Sequence, residues 1–285
     1  QRQMCIRDRV KSIDPYHNSR FLKEYLKNHT GLMQKNSDFV SQILCALFPS
    51  EDVFDYIIKN EINNSLLFLK HPLDWEEFGK GFVALNDAQI KILKKRKISL
   101  YSAHAPFDNN DEIQEILQLQ WVKRLNAKRV TPIILRKRRY GWILELPKEI
   151  TYKNLKNYLL KITGLNHLQE YFSGCNKIKK VAVVPGGGDS LILLKNAYRK
   201  KCNCYITGIL WFRGSEFSQK NNLLFIKGLK RYRINGFGIS HYFSEIESIK
   251  IFVYILKRYF SLPIRFVREK NKEKRIKKRW GMEII

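Results

Sequence analysis

The chain has 285 residues, 44% of them hydrophobic and 13% aromatic, and a formal net charge of +27 from 53 Lys and Arg against 26 Asp and Glu. That is enough apolar material for one large core or two smaller ones. No apolar run reaches the roughly 18 residues of a membrane span, which excludes a spanning segment and makes a cytoplasmic protein the expectation. The positive charge is dense only at 136–139 and 270–279. It is read either as attraction to a polyanion or as the Lys, Asn and Ile drift of an AT-rich genome.

Residues 1–9 resemble the translation of a transposon end used to build sequencing libraries, so they are set aside as a non-native leader. Residues 18–28 are expected to be helical, with Phe21, Leu22, Tyr25 and Leu26 on one face. A strand is expected at 40–47, a helix at 51–61 with Val53, Ile57 and Ile58 inward, and a strand at 66–69 that stops at His71-Pro72. Asp87 is expected to cap a helix over 87–95, and a strand at 98–101 leads to His104. Asn109 to Glu112 has the look of a capping box for a helix reaching about Asn126. Residues 130–135 are extended, with 141–146 pairing back, and 152–162 are helical. A strand at 181–184 feeds Pro185-Gly186-Gly187-Gly188-Asp189 and a helix from Ser190. Strands at 204–207 and 237–240, a helix over 243–260 and a last strand at 264–267 complete the pattern. Alternating helices and strands predict an α/β fold. The expected organisation is a first α/β domain at 10–128, a second at 129–268, and a mobile basic tail at 269–285 in which Trp280 could dock.

Three histidines sit where apolar runs stop, each with a carboxylate close by: His71 with Asp74, His104 with Asp108, and His241 with Glu245. Strand ends of α/β proteins face the crevice where ligands bind. His241 and Glu245 are four residues apart at the start of a helical pattern, which puts both side chains on one face. An imidazole and a carboxylate converging in this way can bind or bridge metal ions; a helix-end ion pair is the plainer alternative. Pro106 puts His104 and Asp108 on a loop. Three such sets together favour a divalent-metal site. The glycine run after 181–184 reads either as an anion cradle or as a tight strand-to-helix turn. It lacks the Gly-Lys-Ser/Thr of a nucleotide loop. There is no Gly-x-Ser-x-Gly elbow, and Cys175 has no evident histidine partner, which disfavours nucleophile-based hydrolysis. Cys202-Asn203-Cys204 is too tight for a zinc knuckle, so free thiols are expected.

Taken in order, Lys70-His71-Pro72-Leu73, His104-Ala105-Pro106-Phe107-Asp108, Val184-Pro185-Gly186-Gly187-Gly188, Tyr205-Ile206-Thr207-Gly208 and His241-Tyr242-Phe243-Ser244-Glu245 resemble the motifs of the Nif-three-like family. This family is named after NGG-one-interacting factor three and is also known as the GTP cyclohydrolase I type 2 homologues. Tyr140-Gly141 followed by Leu146-Pro147 resembles the stretch between its two halves. The resemblance covers about residues 30 to 267. It implies two similar α/β layers around a dinuclear metal centre, in a toroidal homohexamer. It further implies that His71 and Asp108 bind a first metal, His241 binds a second, Glu245 bridges both, and His104 sits nearby as an acid/base or supporting group. The implied activity is metal-assisted hydrolysis of a purine nucleotide, with Glu245 or His104 moving protons. Zn, Fe, Mn and Ni all suit the donors. The chain departs from the family at Lys70, which stands where the family has a histidine ligand, and at Ile209, which stands where it has a Glu. A protonated Lys cannot ligate a metal, so the implication extends to a single-metal or degenerate centre. The alternative function is a non-enzymatic basic ring or scaffold that binds nucleic acid.

Overall fold

Short apolar runs of this chain become strands buried on both faces, as parallel strands flanked by helices must be. The computed structural model describes residues 30–76, 81–104, 108–135, 138–211 and 216–279. The leader at 1–9, the helix expected at 18–28, Pro106 and Trp280 lie outside the described residues. The described elements form two compact units.

The first unit holds described residues through Trp75, then Phe82–Glu115 and Ser248–Lys272. Its strands are β1 (Thr30–Gln34), β2 (Gln42–Ala46), β3 (Ser65–Leu69), β6 (Ser99–Ala103) and β13 (Ile264–Phe266), in the order β1-β6-β3-β2-β13. β1 is antiparallel to its neighbour, and the other pairs are parallel. A further pair of short strands, β4 (Asp74–Glu76) and β5 (Gly81–Val83), stands apart from the larger sheets. Helix α1 (Glu51–Lys59) turns Val53, Phe54 and Ile57 inward onto Leu44, Leu67 and Leu69. Helix α2 (Asp87–Lys95) adds Leu93. Its cap is Asn86 rather than the expected Asp87. The Asn86 side chain accepts from Gln89 N, and Gln89 returns the bond to Asn86 N. Helix α3 (Asp111–Leu125) shifts the other way, starting one residue later than expected, with Asn110 Oδ1 rather than Asn109 accepting from Ile113 N.

The second unit holds Glu76–Gly81, Ile116–Glu247 and the chain from Glu273. Its sheet runs β7 (Arg129–Leu135), β8 (Arg138–Thr151), β10 (Lys177–Val184), β11 (Cys204–Thr207), β12 (Asn235–Gly238) and β9 (Gln169–Tyr171). The central β10-β11-β12 ladder is parallel, and antiparallel strands lie on both sides. Helix α4 (Tyr152–Thr163) is capped by Thr151 and closed by Gly164 in the left-handed conformation. Helices α5 (Leu191–Arg199) and α6 (Glu216–Tyr232) pack Leu193, Leu194, Ala197, Phe225 and Leu229 onto Ala182, Val184 and Tyr205. The sequence reading did not anticipate α6.

Helix α7 (His241–Tyr259) contributes residues 241–247 to the second unit and the remainder to the first. The chain beyond it does not behave as the mobile tail expected from its charge. Glu269 is fully buried, and helix α8 spans Lys270–Arg279. Asp52 Oδ2 accepts from Asn271 N and Lys272 N. Lys272 Nζ donates to Asp74 Oδ1 and to Trp75 O and lies 4.6 Å over the Phe48 ring. Burial raises the thiols of Cys45, Cys202 and Cys204 far above their ordinary value; Cys202 is pushed up to about 12. They are free and inert.

Candidate metal centre

In the first unit the predicted residues gather at the carboxyl edge of the parallel sheet. Beyond β3 the chain stays paired to the end of β2, through Lys70 N to Ala46 O and His71 N to Leu47 O. This fixes both side chains at the edge. His71 is buried, stacked on Phe48 at 4.7 Å and edge-on to the His104 ring at 4.4 Å. Lys70 is also buried, and its Nζ lies 2.7 Å from Asp108 Oδ1. The other Asp108 oxygen lies 3.7 Å from His104 Nδ1. His71, His104, Asp108 and Lys70 therefore form one cluster, with an ammonium already on the carboxylate expected to be a metal ligand. Asp74, the carboxylate nearest His71 in sequence, is paired with Lys272 instead.

In the second unit, His241 and Glu245 begin α7 where it leaves β12, again at the carboxyl edge of a parallel sheet. Ser240 makes the turn with a φ of +73°, a conformation that costs a residue with a side chain roughly 1–2 kcal/mol and recurs at functional sites. One helical turn then sets His241 Nε2 3.2 Å from Glu245 Oε2, both residues buried. The glycine loop closes over the pair. Gly186 has a φ of +67°, and a Cβ there would collide with Glu245 Oε1 and lie 3.4 Å from His241 Nε2. Only a glycine lets the backbone come so close.

The same loop settles the choice left open by its sequence. Gly186 N donates to Ser244 Oγ and Gly188 N donates to Thr207 Oγ1, so these amides are committed inside the fold. The run is a tight turn that packs on α7. Asp189, at its end, accepts from Asn222 Nδ2 at 2.8 Å. Burial pushes its carboxyl above the ordinary value, while the Asn222 hydrogen bond and the charge of His241 act in the opposite direction. The sequence reading missed Gly186, Ser244, Thr207 and Asp189 as parts of this site. The glycines stand out in the sequence, but nothing there ties them to His241 and Glu245.

The donor chemistry fits a divalent ion. A buried imidazole and carboxylate face each other under a backbone that leaves no room for a side chain. Soft ligands are lacking, so the set suits Zn, Fe, Mn or Ni rather than a thiolate-bound ion.

Comparison with known proteins agrees with the resemblance drawn from the five motifs. The chain is 24% identical over 258 residues to the GTP cyclohydrolase 1 type 2 homolog of Pyrococcus horikoshii, covering 87% of this chain and 94% of that protein. It is 29% identical over 238 residues to the homolog of the same name from Clostridium perfringens, covering 79% and 80%. Among solved structures, protein ybgI, described as of unknown function, superposes with a TM-score of 0.67 at 19% identity, covering 92% of this chain and 97% of that one. TTHA1606 from Thermus thermophilus gives 0.63 at 19% identity, covering 93% and 98%. These neighbours share the two similar α/β layers expected from the sequence. A profile of the Duf34/NIF3 (NGG1p interacting factor 3) family matches residues 6–273, and the chain belongs to that family.

Proposed function

We propose that this chain is a metal-dependent hydrolase acting on a purine nucleotide, with one divalent ion held by His241 and Glu245. The observation that carries the reading is the buried His241–Glu245 pair under Gly186. The names of the curated relatives supply the cyclohydrolase-like reaction class. A bound divalent ion would supply Lewis acidity and activate water for attack on a ring carbon. The chain's own groups do the rest. His241 and Glu245 hold the ion. The Gly186 turn fixes the carboxylate and keeps solvent from that side. His104, at the edge of His71 and only partly buried, is placed to carry a proton to or from the substrate. The reading includes a cytoplasmic homohexamer, which light scattering after size exclusion tests directly.

The test of activity is a nucleotide-hydrolysis screen with Zn, Mn, Fe and Ni in turn. Turnover that requires the ion and is lost in Glu245→Ala, with the fold retained by circular dichroism, supports the hydrolase. Turnover that survives Glu245→Ala refutes it.

A second reading rests on a different observation. Residues 190–234 contain a single acid, Glu216, whereas Lys195, Arg199, Lys200, Lys201, Lys227, Lys230, Arg231 and Arg233 are all exposed. The stacked rings of Tyr198 and Tyr232 lie at the ends of the same two helices. Such a face suits single-stranded nucleic acid, with phosphates on the cations and bases on the tyrosine. This reading predicts steeply salt-dependent RNA binding that is unchanged in Glu245→Ala.

A further inference from the structure

In the first unit, His71, His104 and Asp108 have the chemistry of a cation site, yet one side chain at the cluster cannot ligate. Lys70 is buried, its Nζ is 2.7 Å from Asp108 Oδ1, and Ser102 Oγ donates to its backbone carbonyl from the adjacent strand. A buried ammonium requires a counter-charge, and here the chain itself supplies one. An ammonium in contact with Asp108 also repels a divalent ion approaching the same oxygens. A protonated lysine has no lone pair to offer that ion.

We infer that the Lys70 ammonium is the resident cation of this cluster, taking the place that a metal ion would otherwise hold against Asp108. Asp108 is then the counter-ion of Lys70 and not a metal ligand, and the chain takes up one divalent ion where its ligand chemistry would otherwise admit two. The inference rests on the metal centre proposed above for the remaining ion. It goes beyond that centre by assigning Lys70 a role and by removing Asp108 from the ligand set.

The test is titration of the metal-free protein with Mn²⁺ alone, following the free ion by electron paramagnetic resonance. The wild type is expected to take up about one equivalent and Lys70→His about two, the new imidazole completing a site with Asp108. Asp108→Asn is expected to keep its equivalent, since a group outside the ligand shell changes affinity rather than the number of ions bound. It keeps the question decidable if Lys70→His does not fold by circular dichroism. Two equivalents in the wild type overturn the inference. So does a folded Lys70→His that gains no equivalent, and so does loss of uptake in Asp108→Asn. No uptake in the wild type rejects the proposed centre instead. The inference is then judged on Lys70→His, where a gained equivalent supports it and no gain overturns it.

Discussion

Glu269 gives the sharpest stability prediction because its environment is closed and its neighbours are few. The carboxyl is fully buried, and burial pushes its pKa from 4.5 up to about 8. The Lys272 ammonium, the Ser50 hydroxyl and Leu47 N–H pull it down, and Asp74 pushes it up. Between pH 4.5 and 8 the folded chain therefore holds a proton that the unfolded chain has lost. Stability from this group is intact below the unfolded value, falls by about 1.4 kcal/mol for each pH unit above it, and levels off above the folded value. The full loss is at most about 5 kcal/mol. Glu269→Gln removes the titration while keeping the size of the side chain. Its amide loses about 1–3 kcal/mol where its N–H groups lack acceptors, a penalty independent of pH. Urea unfolding of both proteins at about pH 5, 6.5 and 8 separates the two contributions. Relative to the wild type, the variant should gain stability steadily across that range, by several kcal/mol in total. A difference that stays flat with pH would refute the argument that Glu269 is buried uncharged.

Gly186→Ala should lose divalent-ion uptake while remaining folded. The left-handed φ costs about 1–2 kcal/mol in the variant, and the new Cβ would displace Glu245 Oε1 from its place. Wild-type uptake by elemental analysis would show that Glu245 is not held by this turn. Phe225→Ala opens the core between α6 and the sheet, where the ring meets Tyr205 edge-on at 5.4 Å. It should cost about 3–5 kcal/mol in denaturant unfolding, and a loss under about 1 kcal/mol would mean that α6 is not anchored there. Thr151→Ala removes the bond to Asn154 N at the start of α4. About 1 kcal/mol of stability should go with it, and no change in the urea midpoint would show that the cap is idle.

The strands were legible because parallel strands covered on both faces read as unbroken apolar runs. The runs at 66–69 and 204–207 fall on β3 and β11. Helix α6 was hidden because its inward face is partly polar. Asn222 is buried on it to hold Asp189 and Leu210 O, and Gly228 leaves the space that Leu191 and Leu194 of α5 fill. Neither residue contributes to an apolar stripe. Short β9 owes its form to pairing with β12 rather than to its own Gln-Glu-Tyr sequence. At the site, the spacing of His241 and Glu245 was enough to put them on one helical face, since that relation is local. The closure by Gly186 could not be read, because a residue without a side chain signals only what it permits. The contact of Lys70 with Asp108 joins two segments far apart in the chain, and only the register of β3 beside β6 brings it about. The basic tail was misjudged for a related reason. Its charge suggests solvent, but Glu269 and Lys272 dock it.

The most direct measurement is the metal content per chain, by elemental mass spectrometry on protein purified with divalent ions and without chelators. About one ion per chain is expected in the wild type and almost none in folded His241→Ala or Glu245→Gln. A wild type without metal, or variants that keep theirs, would contradict the centre at His241 and Glu245.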